Sequence, residues 1–399
     1  MDCMSGCWGK PEADMTDSSD RKKIVFITSR ALYEPALHNR ITPFMKLLVS
    51  QGHEVLLVCP RHADNRARLP AGVQLVQVAM VARRPRDFIK RAIHEADNAL
   101  LLLRHASKIK ADVWLVTIPS MFLAFIAPAI LRRRTTILDI RDLSWEYLAD
   151  DHFLQKVSKR AFRLVFRRCL NFFCAVMAAN PAQLSYVQRY WRGSSPPLLV
   201  SNGIELSRFQ ALAGLECPSE GVHVTYIGNI GLAQRLETLI EAARLLPEVR
   251  FTIIGAGLDY ERIVQLIAQY QLKNVRLTGR VSWESVRGFY NQTDILYAQL
   301  APDYSGAVPS KLYEYLATGK YVIYGGQGEA AALLKGFEHH RLIPPCDVDA
   351  LVAAIKEYDG GACKRKLCLA NRERVGSRHI REKSAEQLVQ TISRTSPGG

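Results

Sequence analysis

The side chains that could do chemistry in this 399-residue chain gather in loops of its second half. Tyr226-Ile-Gly-Asn-Ile-Gly-Leu-Ala-Gln-Arg235 follows a β-branched run and leads into a helical one. Gly228 and Gly231 let a backbone turn tightly against a ligand. The N–H groups of a helix start at Gly231–Arg235 would favour an anion, with Asn229, Gln234 and Arg235 as added donors; a plain turn needs the same glycines. In Asp303–Gly319, Pro309 suits a first helical turn and places Ser310, Lys311 and Glu314 on it. Lys311 and Glu314 are three apart and share a face. A cation at a helix N-terminus is unfavourable unless an anion lies between, so Lys311 reads as a phosphate ligand and Glu314 as a holder of a sugar hydroxyl. A surface ion pair between the two is the alternative. In the first half, Arg141 and Asp142 project from the carboxyl end of a predicted strand, as site residues or as a structural Asp–Arg pair.

Other chemistries lack their residues. Ile254-Gly-Ala-Gly-Leu258 has Tyr260 where a dinucleotide fingerprint needs its third glycine. No GxSxG elbow and no GxxxxGK[ST] loop occurs. Ten histidines are scattered, with His339-His340 the only adjacent pair and no HExxH, so no metal site is expected. Asp347 and Asp349 read as caps of a helix Ala350–Tyr358.

Such loops need rigid elements behind them. Predicted strands are Ile24–Thr28, Val55–Cys59, Val73–Val78, Val113–Thr117, Thr136–Ile140, Phe173–Met177, His223–Ile227, Arg250–Ile254, Val275–Thr278, Asp294–Tyr297 and Tyr321–Tyr324. Helical stretches such as Thr42–Gln51, Leu236–Leu246, Tyr260–Tyr270 and Trp283–Asn291 separate them. Near-continuous apolar strands alternating with helices predict an α/β protein with two doubly wound parallel sheets. Ligands of such sheets bind beyond the carboxyl ends of the strands. The expected layout is a disordered tail at 1–20, a Rossmann-like domain at 21–195, a linker at 196–221, a second Rossmann-like domain at 222–375, and a final helix and tail at 376–399, after a break around Gly376.

Composition narrows the partners. Hydrophobic residues make up 48% and charged residues 23%, which excludes a disordered, collagenous or coiled-coil chain. Nine scattered cysteines without a CxxC read as free thiols in a reducing cytoplasm. The net charge is +15, and it is lopsided: 30 Lys and Arg against 17 Asp and Glu up to residue 200, then 23 against 21. That points to an anionic partner for the first half. Lys156, Lys159, Arg160, Arg163, Arg167 and Arg168 fall in one helical stretch beside Phe162, Val165, Phe166 and Cys169, as in a helix lying on an anionic membrane or one whose phenylalanine face packs on its own sheet with the basic face solvated. A second basic run is Arg83, Arg84, Arg86, Lys90 and Arg91. No nucleic-acid motif accompanies the charge.

Several motifs in order resemble the nucleotide-binding domain of family 4 glycosyltransferases of GT-B fold. They are Ser201-Asn-Gly-Ile204 with Arg208-Phe209, Tyr226–Gly231, Leu239-Ile-Glu-Ala242, Phe251–Gly257, Asn274–Val281 and Pro309–Lys320. Lys23–Thr28, Gly52-His-Glu-Val55 and Asp139-Ile-Arg-Asp142 extend the likeness into the first half. Of the family's two glutamates separated by seven residues, only Glu314 is present; Gly306 stands at the other position. Asn229 and Gln234 replace the usual Arg and Lys of the phosphate loop. This form resembles the branch that builds bacterial surface polysaccharides, including N-acetyl-fucosamine transferases.

The resemblance implies retaining transfer of a sugar from a nucleotide-sugar, a UDP-sugar favoured, to a lipid-pyrophosphate-linked glycan at the inner face of the cytoplasmic membrane, with no cofactor. It implies a donor site of Gly228, Asn229, Gly231, Gln234, Arg280, Val281, Ser310, Lys311 and Glu314, where Arg280 and Val281 meet the base and Glu314 the ribose. Arg141, Asp142 and Lys311 are the candidate catalytic residues. A nucleotide-sugar epimerase of the same fold and a noncatalytic sugar- or lipid-binding subunit remain as alternatives.

Overall fold

The computed structural model describes residues 21–80, 85, 87–147, 153–217, 221–359 and 366–394. The expected tail at 1–20 and Arg83, Arg84 and Arg86 of the second basic run lie outside the described residues.

Two parallel sheets organise the chain. The first contains β1 (Lys23–Thr28), β2 (Glu54–Pro60), β3 (Val73–Val78), β4 (Val113–Ile118), β5 (Thr136–Ile140), β6 (Ala175–Ala178) and β7 (Leu198–Leu199), in spatial order 3-2-1-4-5-6-7. The second contains β8 (His223–Ile227), β9 (Arg250–Ile254), β10 (Val275–Gly279), β11 (Ile295–Gln299), β12 (Tyr321–Gly325) and β13 (His340–Ile343), in order 10-9-8-11-12-13. The order reverses between β1 and β4 and again between β8 and β11, which opens a crevice at the carboxyl end of each sheet. Strands such as Val113–Ile118 are buried at every position because helices cover both faces. Each sheet therefore has two apolar layers, one per face.

Helix α1 (Pro35–Ser50), expected as Thr42–Gln51, and strand β13 are among the elements that escape the sequence pattern. Pro43 looks like a helix start, but it sits mid-helix and removes the bond to the Asn39 carbonyl. Strand β13 is a short, polar edge, His340-Arg-Leu-Ile343, with no alternation to betray it.

Helices α2 (Phe88–Ser107), α3 (Met121–Ile130) and α4 (Phe153–Leu170) cover one face of the first sheet. The apolar face expected to meet lipid on α4 is largely core: Phe166 is buried, and Phe162 packs edge-on against Phe122 and obliquely against Phe125. Among its basic residues Lys159 is buried, Arg163 binds Glu146, and Arg167 lies over the Tyr190 ring. A different stripe faces outward, with Phe153 83% exposed and Val157 and Leu164 about half exposed, beside exposed Lys156, Arg160 and Arg168. Its members recur at helical spacing on one side of α4. No described helix is long and apolar enough to cross a membrane.

The stretch expected as a linker contains β7, which joins the first sheet, and a short helix at Leu206–Ala211. The second sheet is flanked by α7 (Glu237–Leu245), α8 (Tyr260–Gln269), α9 (Trp283–Asn291), α10 (Ser310–Thr318) and α12 (Val348–Asp359), numbering the short helices Pro181–Tyr190, Leu206–Ala211 and Glu329–Leu334 as α5, α6 and α11. Helix α13 (Leu369–Arg378) includes Gly376, so no break occurs there. A Cβ at 376 would lie 2.8 Å from the Phe209 ring, which explains the glycine. The break falls at His379–Ile380, where Ile204 N–H donates to the His379 carbonyl (2.9 Å) and Arg381 N–H to the Ile204 carbonyl (3.0 Å). Helix α14 (Arg381–Arg394) then returns to α1, and Ala385, Leu388, Val389 and Ile392 join the first domain's core.

Candidate active site

Glycines let the loops after β8 and β9 pack against each other. Gly228 has φ +145 and Gly255, after β9, has φ +149. A Cβ on Gly255 would stand 1.8 Å from the Gly228 carbonyl oxygen, and one on Gly257 would stand 2.1 Å from that of Ile230. The two loops are laced by Gly228 N–H to Ile254 O (2.8 Å), Ile230 N–H to Ala256 O (3.0 Å) and Asp259 N–H to Ile230 O (3.0 Å). The Ile254–Leu258 glycines thus serve close backbone packing rather than dinucleotide recognition.

Downstream the local structure departs from expectation. Helix α7 starts at Glu237, not at Gly231–Arg235, and residues 232–234 form a turn. Arg235 is left-handed, with φ 44. Its guanidinium lies 3.4 Å from Glu237, which also receives Arg262, so it is directed to this acidic group and away from the loop. Asn229 and Gln234 come together, 3.4 Å apart, over Gly231. The N–H groups of Gly231, Leu232 and Ala233 have no hydrogen-bond partner among the described residues. Gln299, buried at the end of β11, fixes the turn by donating to the carbonyls of Gln234 and Arg235 and to Thr238.

Lys311 is the unusual group. It sits at the start of α10 with Pro309 as N-cap, one position earlier than the sequence suggested. Its Nζ lies 3.7 Å from the centre of the Tyr226 ring, buried, with no hydrogen-bond partner. A Cβ on Gly228 would approach that Nζ to 2.8 Å, so Gly228 leaves the space the ammonium occupies. Burial pushes Lys311 down to about 7. An ammonium this poorly solvated is stabilised when an anion arrives.

Lys311 and Glu314 form no ion pair with each other among the described residues. Glu314 accepts a hydrogen bond from Tyr290 (2.5 Å) and lies 3.7 Å from Arg208. Ser310, Lys311 and Glu314 line a cavity of about 170 Å³ with Gly228, Arg208, Tyr290, Trp283 and Arg381. Arg280 and Val281 follow β10 and do not line it; Trp283, two residues on, does.

A second cavity of about 240 Å³ adjoins the first and shares Asn39, Ser310 and Arg381 with it. Arg141 and Asp142, beyond β5, face Gly306–Ser310 of the second domain there. The carboxyl ends of both sheets therefore share one cleft. Asn180 caps α5 (Pro181–Tyr190) by accepting from Gln183 N–H, and its amide donates to the Gly306 carbonyl across the cleft (3.3 Å). Gln183 in turn donates to the Arg141 carbonyl (2.9 Å). Asn180-Pro181 is a readable helix start. Gln183, Gln299, Tyr290 and Arg381 act through partners far along the chain, which no spacing reveals.

Residues 213–359 match the model of the family described as glycosyl transferases group 1. This segment is similar to group 1 glycosyl transferases. It contains every proposed donor-site residue. A 171-residue stretch is 30% identical to the putative colanic acid biosynthesis glycosyl transferase WcaI of Escherichia coli and takes 39% of this chain and 42% of that protein. A 26% match to E. coli WcaL, also described as a putative colanic acid biosynthesis glycosyltransferase, has similar extent. The match thus spans about two fifths of each curated relative. The whole fold is that of GT-B enzymes. Sucrose-phosphate synthase of Thermosynechococcus elongatus superposes with TM-score 0.68 at 17% identity, over 93% of this chain and 98% of that one. Anabaena HepE in complex with UDP gives 0.66 at 15%, over 94% and 100%. No group of three His, Cys, Asp or Glu placed to hold a metal ion arises among the described residues. Asp347 accepts from Ala350 N–H (2.9 Å), as a helix cap. The six described cysteines are free.

Proposed function

We propose that this protein transfers a sugar, with retention, from a nucleotide-sugar to a lipid-linked glycan during synthesis of a surface polysaccharide. The observation that carries the reading is the buried, unpartnered Lys311 ammonium set against Gly228. In glycosyl transfer the leaving nucleoside diphosphate gains charge as the glycosidic bond breaks. A fixed cation and the unpartnered N–H groups of Gly231–Ala233 would stabilise that charge with little reorganisation. Glu314, held by Tyr290 and Arg208, would accept from ribose hydroxyls. Arg141 and Asp142 would face the sugar and acceptor. The colanic acid relatives support a polysaccharide product, and the fold shared with a UDP-bound protein supports a UDP-sugar donor.

A thermal-shift screen of UDP-, GDP- and dTDP-sugars tests the reading: one base should raise the melting temperature selectively, and no shift with any of them would refute it. Because Lys311 supplies the phosphate charge and Asp347 is a cap, transfer is expected to persist in excess EDTA. Loss of activity in EDTA with recovery in Mn²⁺ or Mg²⁺ would instead require a divalent ion.

The acceptor would be met at the inner face of the cytoplasmic membrane. The outward stripe of Phe153, Val157 and Leu164 would enter the lipid interface while Lys156, Arg160 and Arg168 meet anionic headgroups. Each such base contributes about 1 kcal/mol at an anionic leaflet. Flotation with phosphatidylglycerol vesicles should occur at low salt and fade as salt rises. It should be lost when Lys156, Arg160 and Arg168 become Glu, and much less affected by Arg163→Glu, whose partner is Glu146. Absence of flotation at low salt would remove the membrane from this scheme.

A further inference from the structure

The larger cavity of the cleft has a charge that sugar hydroxyls alone do not call for. Three guanidiniums, of Arg40, Arg141 and Arg381, and one acidic side chain, Asp142, border it. Arg40 is already satisfied: it binds Asp139 at 2.6 Å and donates to the Val200 carbonyl, and both it and Asp139 are buried. Asp139 is thereby held beneath the floor of the cavity. Arg141 is different. Its guanidinium makes no ion pair and no side-chain hydrogen bond among the described residues, while its backbone is fixed by Gln183 and by Ile118. Burial disfavours its charged form and the neighbouring Arg40 adds to that, with Asp139 and Asp142 opposing. Across the cavity Gly306 offers a carbonyl already taken by Asn180 and no side chain. The result is a positioned, underused guanidinium in a recess that adjoins Lys311.

We propose that this recess selects a donor whose transferred sugar carries a carboxylate, that is, a hexuronic acid, with Arg141 as its partner. The proposal rests on the nucleotide-sugar reading above. A diphosphate bound at Lys311 and Gly228 would place its sugar next door, since the two cavities share Asn39, Ser310 and Arg381. A guanidinium presents a planar fork that matches a carboxylate in two parallel hydrogen bonds, which no neutral hydroxymethyl group can reproduce. Arg381 borders both cavities and adds to the positive potential.

The test is titration calorimetry on the full chain without acceptor, so that no acceptor phosphate can supply the anion. UDP, GDP and dTDP are measured alone, followed by the matched pairs UDP-glucose and UDP-glucuronate, GDP-mannose and GDP-mannuronate, and dTDP-glucose and dTDP-glucuronate. With the base that binds, the hexuronate should bind about tenfold tighter than its neutral partner. In Arg141→Gln that ratio should fall toward one, and Arg141→Lys should keep part of it. A wild-type ratio of one or below overturns the carboxylate proposal and leaves the nucleotide-sugar reading standing, whether or not either variant folds. If no nucleoside diphosphate binds, both fall together.

Discussion

Replacing Lys311 by Met should lower kcat/KM by about 10²–10³-fold, the usual effect of removing one preorganised donor from a developing negative charge. The same substitution should raise the melting temperature of the ligand-free protein. Met keeps the apolar stem against Tyr226 and removes an ammonium that is buried without a partner. Opposite signs for stability and turnover are the expected mark of a group held for a ligand. The pH dependence follows from the same site. With Lys311 depressed to about 7 in the empty protein, folding favours its neutral form. The stability penalty is therefore full below pH 7 and fades as pH rises toward the unfolded value of about 10.5. An anion bound at Nζ raises the pKa again, so nucleotide binding takes up a proton above pH 7. Affinity should be flat below 7 and weaken by up to about tenfold per pH unit above it. Calorimetry in two buffers of different ionisation enthalpy would reveal the uptake, and Lys311→Met should abolish it. An unchanged pH profile in that variant would remove Lys311 from the phosphate site.

Gly255→Ala should be the most disruptive single-methyl change in the second domain. The position combines φ +149 with a backbone oxygen 1.8 Å from where the methyl would go, and neither can yield without moving Gly228. A loss of about 3 kcal/mol or more is expected, read as a lowered melting temperature. Nucleotide affinity should fall with it, because Gly228 and Lys311 move together. Gly288→Ala is the control: it is an exposed position of α9 with nothing within 4 Å, where alanine should stabilise by up to about 1 kcal/mol. Similar melting temperatures for the two variants would contradict the packing of the two loops.

What the sequence discloses and what it conceals separate along physical lines. Buried parallel strands such as Val113–Ile118 and Arg250–Ile254 announce themselves, because covering both faces demands an apolar run bounded by turns. Motifs near one another in sequence, such as Pro309–Glu314, also place their residues on one turn of helix. The relation between Lys311 and Glu314 does not follow from that spacing. Tyr226 draws the lysine one way, and Tyr290 with Arg208 draws the glutamate another. Arg235 likewise looks like a phosphate donor until Glu237 and Arg262 are seen beside it. On α4 the helical period is legible, but which apolar stripe meets the sheet depends on how the helix is rotated, and tertiary packing sets that rotation.

The return of α14 to α1 has a consequence for how the chain is made. Ala385, Leu388, Val389 and Ile392 complete an apolar layer whose other members lie before residue 201. A ribosome delivers them only after the entire second sheet has emerged. Until then the nascent first domain exposes the strip of α1 that α14 will cover, an apolar surface prone to pairing with another nascent copy. Vectorial synthesis therefore cannot finish the domains one after the other. The segment at 385–392 acts as the closing stitch of the first domain's core.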